Sequence, residues 1–177
     1  MTKLLNTLPD WTGETVAVLG NAPCLDAELV TLPRPIHAIA ANQAVIKAPW
    51  VDMMVSIDAN WSPEANYYQG IRIIGFEGDI DAHYVNMPHE IVALTPNHDL
   101  HIRSNLLSAI RIAAQAGAAK ILLLGIDTEY YEANLGAPGM VKGLAALIAE
   151  MQARGVVVER YVVPVAAPAP TSKRKVA

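Results

Sequence analysis

The chain has 177 residues, 53% of them hydrophobic and 17% charged, and its 13 basic and 17 acidic residues give a net charge of −4. That length bounds the chain to one domain with a sizeable core, the composition excludes disorder for most of it, and the charge excludes the basic field of a generic nucleic-acid binder. A single cysteine, Cys24, rules out an internal disulfide, and the apolar runs fall far short of the roughly 20 residues that cross a bilayer, so a cytoplasmic protein with no membrane partner is expected.

In chain order, "TVAVL" at 15–19 predicts a first strand, running into the turn Gly20-Asn21-Ala22-Pro23 and a short helix over 24–31 with Asp26 and Glu28 in its first turn. Pro33 and Pro35 end that helix. "IHAIAANQ" (36–43) and "DMMVSID" (52–58) predict two buried strands joined by a brief helical or irregular link. Ser62 and Pro63 then cap a helix reaching about residue 69, and "IRIIGF" is a fourth strand. Residues 77–102 mix short apolar pieces with Asp, His, Asn and Pro, and within them only 90–94 is read as a strand. "SNLLSAIRIAAQAGA" carries Leu106, Ala109, Ile110, Ala113 and Ala114 at helical spacing with Gly117 at its stop. "KILLLGID" (120–127) is a central strand, "GMVKGLAALIAEMQARG" a final helix ended by Gly155, and "VVVERYVV" a last strand.

This alternation predicts an α/β fold, a single Rossmann-like domain over residues 1–164 with a mostly parallel sheet and helices on both faces. The Pro/Ala-rich, basic remainder, 165–177, is expected to be extended or disordered. Ligands of such sheets bind beyond the carboxyl ends of the strands. The residues to weigh are therefore Gly20 and Asn21 after the first strand, Asn42 and Gln43 after the second, Asp58 and Asn60 after the third, and Asp127 after "ILLLGI". The "GNAP" turn offers backbone N–H groups and one amide. It lacks the three-glycine dinucleotide fingerprint and the Lys-Ser/Thr of a P-loop, and a plain turn with Asn at positive φ competes with ligand binding.

The ordered series "VLGNAPCLDAEL", "AANQA", "VSIDANW" and "RSNLLSAIRIAAQAGAAKILLLGID" followed by "YY" resembles, over residues 16–131, a superfamily of Rossmann-like glycosyltransferases. Its members include the family-42 bacterial sialyltransferases, motility-associated flagellin glycosylation proteins, archaeal pterin diphosphokinases and small phage-encoded relatives. The resemblance implies a nucleotide or nucleotide-sugar ligand contacted by Asn21 and Asn42, whose amides donate and accept together. It places Ser104 beside the nucleotide phosphate at a helix N-terminus, with Arg103 adding charge, and makes Tyr130 or Tyr131 a phosphate contact. A diphosphokinase-type transfer would add Mg²⁺ on Asp58 and Asp127.

The chain departs from that pattern at Ala22, Cys24 and Asn105, where the family prefers Gly, Ser and Gly. All five histidines, His37, His83, His89, His98 and His101, precede Asp127, whereas the sialyltransferases place their catalytic His after it. A sialyltransferase mechanism is therefore not implied, and no catalytic residue is assigned. For Asp127 and Asp58, capping of the following turn competes with metal or ribose binding. His89, His98 and His101 match no zinc spacing, and Cys24 reads as a quiet thiol although it opens a helix. Trp50, Trp61, Tyr67 and Tyr68 read as packing residues before base-stacking ones. The expected function is a nucleotide-binding, glycosyltransferase-like protein, possible as a phage product in host cytoplasm. The alternatives are a non-catalytic nucleotide-binding module and an assembly protein, and a homo-oligomer is left open.

Overall fold

The structure is a computed structural model that describes residues 8–56, 68–75, 91–94, 104–135 and 138–164. In chain order the elements are β1 (Thr15–Leu19), α1 (Leu25–Thr31), β2 (His37–Ala41), α2 (Ala44–Lys47), β3 (Met53–Ser56), β4 (Ile71–Gly75), β5 (Ile91–Leu94), α3 (Asn105–Gln115), β6 (Lys120–Leu124), α4 (Thr128–Leu135), α5 (Pro138–Ala153) and β7 (Val157–Arg160). The seven strands among the described residues join one sheet in the order β5-β4-β3-β2-β1-β6-β7, every neighbouring pair parallel. The chain therefore builds outward from β1 to β5, crosses back through α3, and builds the other way from β6. A right-handed crossover reverses faces when the winding reverses, so the sheet is covered on both sides.

Successive side chains of a strand point to opposite faces, and this divides the core in two. On one face Val16, Val18, Ile39, Met53 and Val55 pack with Leu107, Ile110 and Ala113 of α3 and Leu144, Leu147 and Met151 of α5. On the other, Ala17, Leu19, Ala38, Ala40 and Met54 pack with Leu25 of α1 and Ala44 and Val45 of α2. Strands apolar on both faces read as unbroken runs, which is why "KILLL" has no polar alternation. α3 is the central helix of its layer, lying against β1, β2, β3 and β6. Arg111 on α3 binds Glu150 on α5 through two bonds of 3.2 and 2.8 Å, tying the two helices together.

The ends of these helices follow from their sequence. Ser104 is extended and its hydroxyl accepts the Leu107 N–H at 3.5 Å, capping α3. At the other end Gly117 has φ +94, with the Gly117 N–H bonded to Ala114 and the Ala118 N–H to Ala113, so the last carbonyls are satisfied by a Schellman turn. Gly155 (φ +83) repeats the device after α5.

Apart from the helix expected to follow Ser62, the strand and helix expectations that fall on described residues hold with end shifts of a few residues, and the mostly parallel sheet is wholly parallel among the described strands. The segment after Asp127, left without an element by the sequence, is helix α4. The helix expected to reach residue 69 is not helical at Tyr68 and Gln69, and its earlier part lies outside the described residues. So do Asp58, Asn60, Trp61, Tyr67, Arg103, the basic tail, and every histidine but His37.

The positive-φ glycines that close α3 and α5 give a stability prediction. A Cβ on Gly117 would lie 2.7 Å from Thr12 Oγ1 and 2.9 Å from its Cα, whereas one on Gly155 meets nothing within 4 Å. Gly155→Ala should cost about 1 kcal/mol for the left-handed backbone alone, and Gly117→Ala about 2–3 kcal/mol for that strain plus displacement of the Thr12 backbone. Urea unfolding measures both; equal losses would contradict the packing at Gly117.

Candidate functional site

At the winding reversal β1 and β6 lie side by side, Leu19 opposite Leu124, and the loops leaving them run out together. The two loops touch backbone to backbone. A Cβ on Gly20 would lie 2.5 Å from the Gly125 carbonyl oxygen and 2.6 Å from the Tyr131 hydroxyl, and one on Gly125 (φ +61) would lie 2.5 Å from the Gly20 oxygen. Only glycine permits this approach at either position.

The contact is hydrogen-bonded throughout. The Gly20 N–H donates to Leu124 (2.7 Å), the Ala22 N–H to Gly125 (2.9 Å), and the Asn21 N–H to the Tyr131 hydroxyl (2.6 Å). That hydroxyl in turn donates to the Gly125 carbonyl at 3.1 Å. From the other side the buried carboxylate of Glu28 accepts the Gly125 N–H at 2.5 Å. This corrects the expectation that the turn offers backbone N–H groups: those of Gly20, Asn21 and Ala22 are already engaged, and the side-chain amide of Asn21 is what the turn presents. The residue at positive φ is likewise Asn42 (φ +49), not Asn21.

The other candidate residues occupy the same carboxyl edge. Asn42 closes β2 by donating its N–H to the Val55 carbonyl at 2.8 Å. Its side-chain oxygen is buried and has no hydrogen-bond partner among the described residues. Gln43 beside it is exposed and starts α2 without a side-chain cap. Ser104 caps α3. Asp127 caps α4, its carboxylate accepting the Tyr130 N–H at 3.0 Å and its carbonyl the Tyr131 N–H at 3.0 Å. Tyr130 sits edge-on to Tyr131, ring centroids 5.8 Å apart. Among the described residues no three of His, Cys, Asp and Glu group as a metal site.

Glu28 was read from the sequence only as a charge in the first turn of α1. Its position on the buried stripe with Leu25 and Leu32 was the available signal, since a carboxylate there needs a donor. Cys24 is quiet: burial first and the nearby Glu28 second push its thiol up, against an opposing bond from Arg160. Trp50 is covered by the Arg34 guanidinium, 3.9 Å from the ring centroid. Tyr68 is buried and donates to the Val51 carbonyl at 2.8 Å, so both serve packing.

No family model matches the chain, and no curated protein matches it. Among solved structures it is similar to thiamine pyrophosphokinase from Bacillus subtilis, with a TM-score of 0.52 and 9% identity, over 84% of this chain and 60% of that one. The fold is Rossmann-like α/β. At that identity the likeness carries the fold alone, and this chain spans less than two thirds of the pyrophosphokinase. No helix among the described residues is long and apolar enough to cross a membrane.

Tyr131 is the side chain whose loss tests this geometry. Burial chiefly, offset in part by the N–H groups of Asn21 and Ala22, raises its pKa above the ordinary tyrosine value. As pH rises past about 10 the unfolded chain loses this proton before the folded one, so the contribution is present below that pH and is lost above it. Tyr131→Phe leaves the Asn21 N–H without its partner and should cost about 1–3 kcal/mol at neutral pH. It should also flatten part of the alkaline loss of stability, a loss to which Tyr68 and Cys24, both raised, contribute with the same sign. Urea unfolding of both proteins from pH 7 upward decides it; an unchanged midpoint in Tyr131→Phe would show the hydroxyl to be idle.

Proposed function

We propose that the chain binds a nucleotide in the crevice beyond the carboxyl ends of β1, β2 and β6, and is a nucleotide-dependent transferase of the diphosphokinase type. The observation that carries this reading is the buried side-chain oxygen of Asn42, which has no hydrogen-bond partner among the described residues and lies at the sheet edge beside the winding reversal. Such an oxygen costs free energy unless a ligand donor reaches it, and a winding reversal is where open α/β sheets hold their ligands. Asn21 and Asn42 suit the hydroxyls and base edge of a nucleoside. The α3 N-terminus with Ser104 suits a phosphate.

The likeness to a pyrophosphokinase favours transfer of a diphosphate. Transfer from a nucleotide sugar, the other reaction of the superfamily that the motifs resemble, has the motifs alone in its support. Asp127, whose other carboxylate oxygen has no partner among the described residues, and Asp58 would be the residues to hold a Mg²⁺, which would supply charge neutralisation for the phosphates. Catalysis in this reading rests on orienting the donor and stabilising the departing phosphate.

A thermal-shift series with adenosine, guanosine, cytidine and uridine di- and triphosphates, with and without Mg²⁺, tests the proposal. A ligand at 100 times its Kd stabilises by about 2.7 kcal/mol, a readily measured rise in midpoint. One base should give that rise, and Asn42→Ala should weaken it about tenfold or more while the unliganded midpoint does not fall. No shift with any nucleotide at millimolar concentration would overturn the reading.

A further inference from the structure

At the opposite edge of the sheet, below the amino ends of the strands, lies a groove of about 600 Å³, within the size range of small-molecule sites. Ile36, Leu122, Pro33 and Pro35 give it apolar surface, and Glu14, Thr15, His37 and Asp52 its polar groups. It shares no residue with the nucleotide crevice.

The polar groups are arranged as acceptors. Asp52 spends one carboxylate oxygen, Oδ2, on both the Ala38 N–H (2.8 Å) and His37 Nδ1 (3.3 Å). Its other oxygen has no partner among the described residues, and neither has the carboxylate of Glu14. The His37 ring is held from a second side by Trp11, stacked with centroids 5.2 Å apart at 23°. An Nδ1 facing a carboxylate carries the proton of the neutral ring, which leaves Nε2 an acceptor. Pro33 and Pro35 bring no N–H. A lining with two carboxylates, an imidazole acceptor and few donors rejects anions, and its aliphatic part asks for a hydrocarbon stem.

We infer that this groove binds a small aliphatic amine or guanidine, the cation against Glu14 and Asp52 and the stem along Ile36, Leu122 and the prolines. The acceptors are already oriented, Asp52 by a backbone N–H and His37 by Asp52 and Trp11, so little ordering is needed on binding.

The test is an amide ¹⁵N–¹H titration of the whole chain with agmatine, with butyrate as a stem of opposite charge. Agmatine should move the amides of Thr15, His37, Ala38 and Asp52 saturably at millimolar concentration, and butyrate should leave them in place. Glu14→Gln, at an exposed residue, and Asp52→Asn should each weaken agmatine binding by about fivefold. Glu14→Gln should leave any nucleotide-induced thermal shift unchanged, which separates this groove from the crevice. Equal shifts with butyrate, no saturable shift with agmatine, or binding indifferent to both substitutions would overturn the inference.

Discussion

Two peptide backbones in contact, with no side chain between them, set the form of the carboxyl edge. Gly20 and Gly125 meet so closely that a Cβ on either would lie 2.5 Å from the carbonyl oxygen of the other. Because β1 and β6 are adjacent and parallel, their outgoing loops must either splay or touch. Here they touch, and their polar groups bond one another. Tyr131 rivets the pair from the side of α4 and Glu28 from the side of α1, so a helix on each face of the sheet reports to the same turn.

That closure decides what chemistry the edge can offer. A loop whose N–H groups pointed outward would be an anion cradle in itself; this one has turned them inward. In the proposed function binding falls instead to the side chains of Asn21, Asn42 and Asp127, and to the N-terminus of α3 at Ser104. Groups held on strand ends and capped helices keep their geometry better than groups on free loops. Among the described residues the buried oxygen of Asn42 has no hydrogen-bond partner, and under the proposed function this is the kind of local inconsistency that a ligand explains. At the other edge Asp52 is oriented in the same manner, by the backbone of β2.

The fold was legible because its signals are local. Buried parallel strands write themselves as runs such as "TVAVL" and "KILLL", and α3 announced itself by an apolar stripe, Ser104 at one end and Gly117 at the other. α4 was illegible for a corresponding reason: "TEYYEANL" is polar on nearly every side, and its start signal, Asp127, had been weighed as a site carboxylate. The role of Tyr131 depends on a bond to Asn21 across 110 positions, which no periodicity encodes. Glu28 was half legible, since a carboxylate on the stripe of Leu25 and Leu32 is an anomaly in the pattern. The amino-edge groove draws its residues from segments that are polar or proline-rich for ordinary turn reasons, so nothing local singles them out.

The measurement that bears most directly on the carboxyl-edge site is a residue-resolved one: amide ¹⁵N–¹H shifts of the protein titrated with the nucleotide that stabilises it best. If the crevice at the winding reversal is the binding site, saturable shifts will gather at Asn21, Asn42, Gln43, Ser104 and Asp127, on both sides of the Gly20–Gly125 contact, and will leave His37 and Asp52 unmoved. Shifts confined to the amino edge, or spread without a centre, would contradict that assignment.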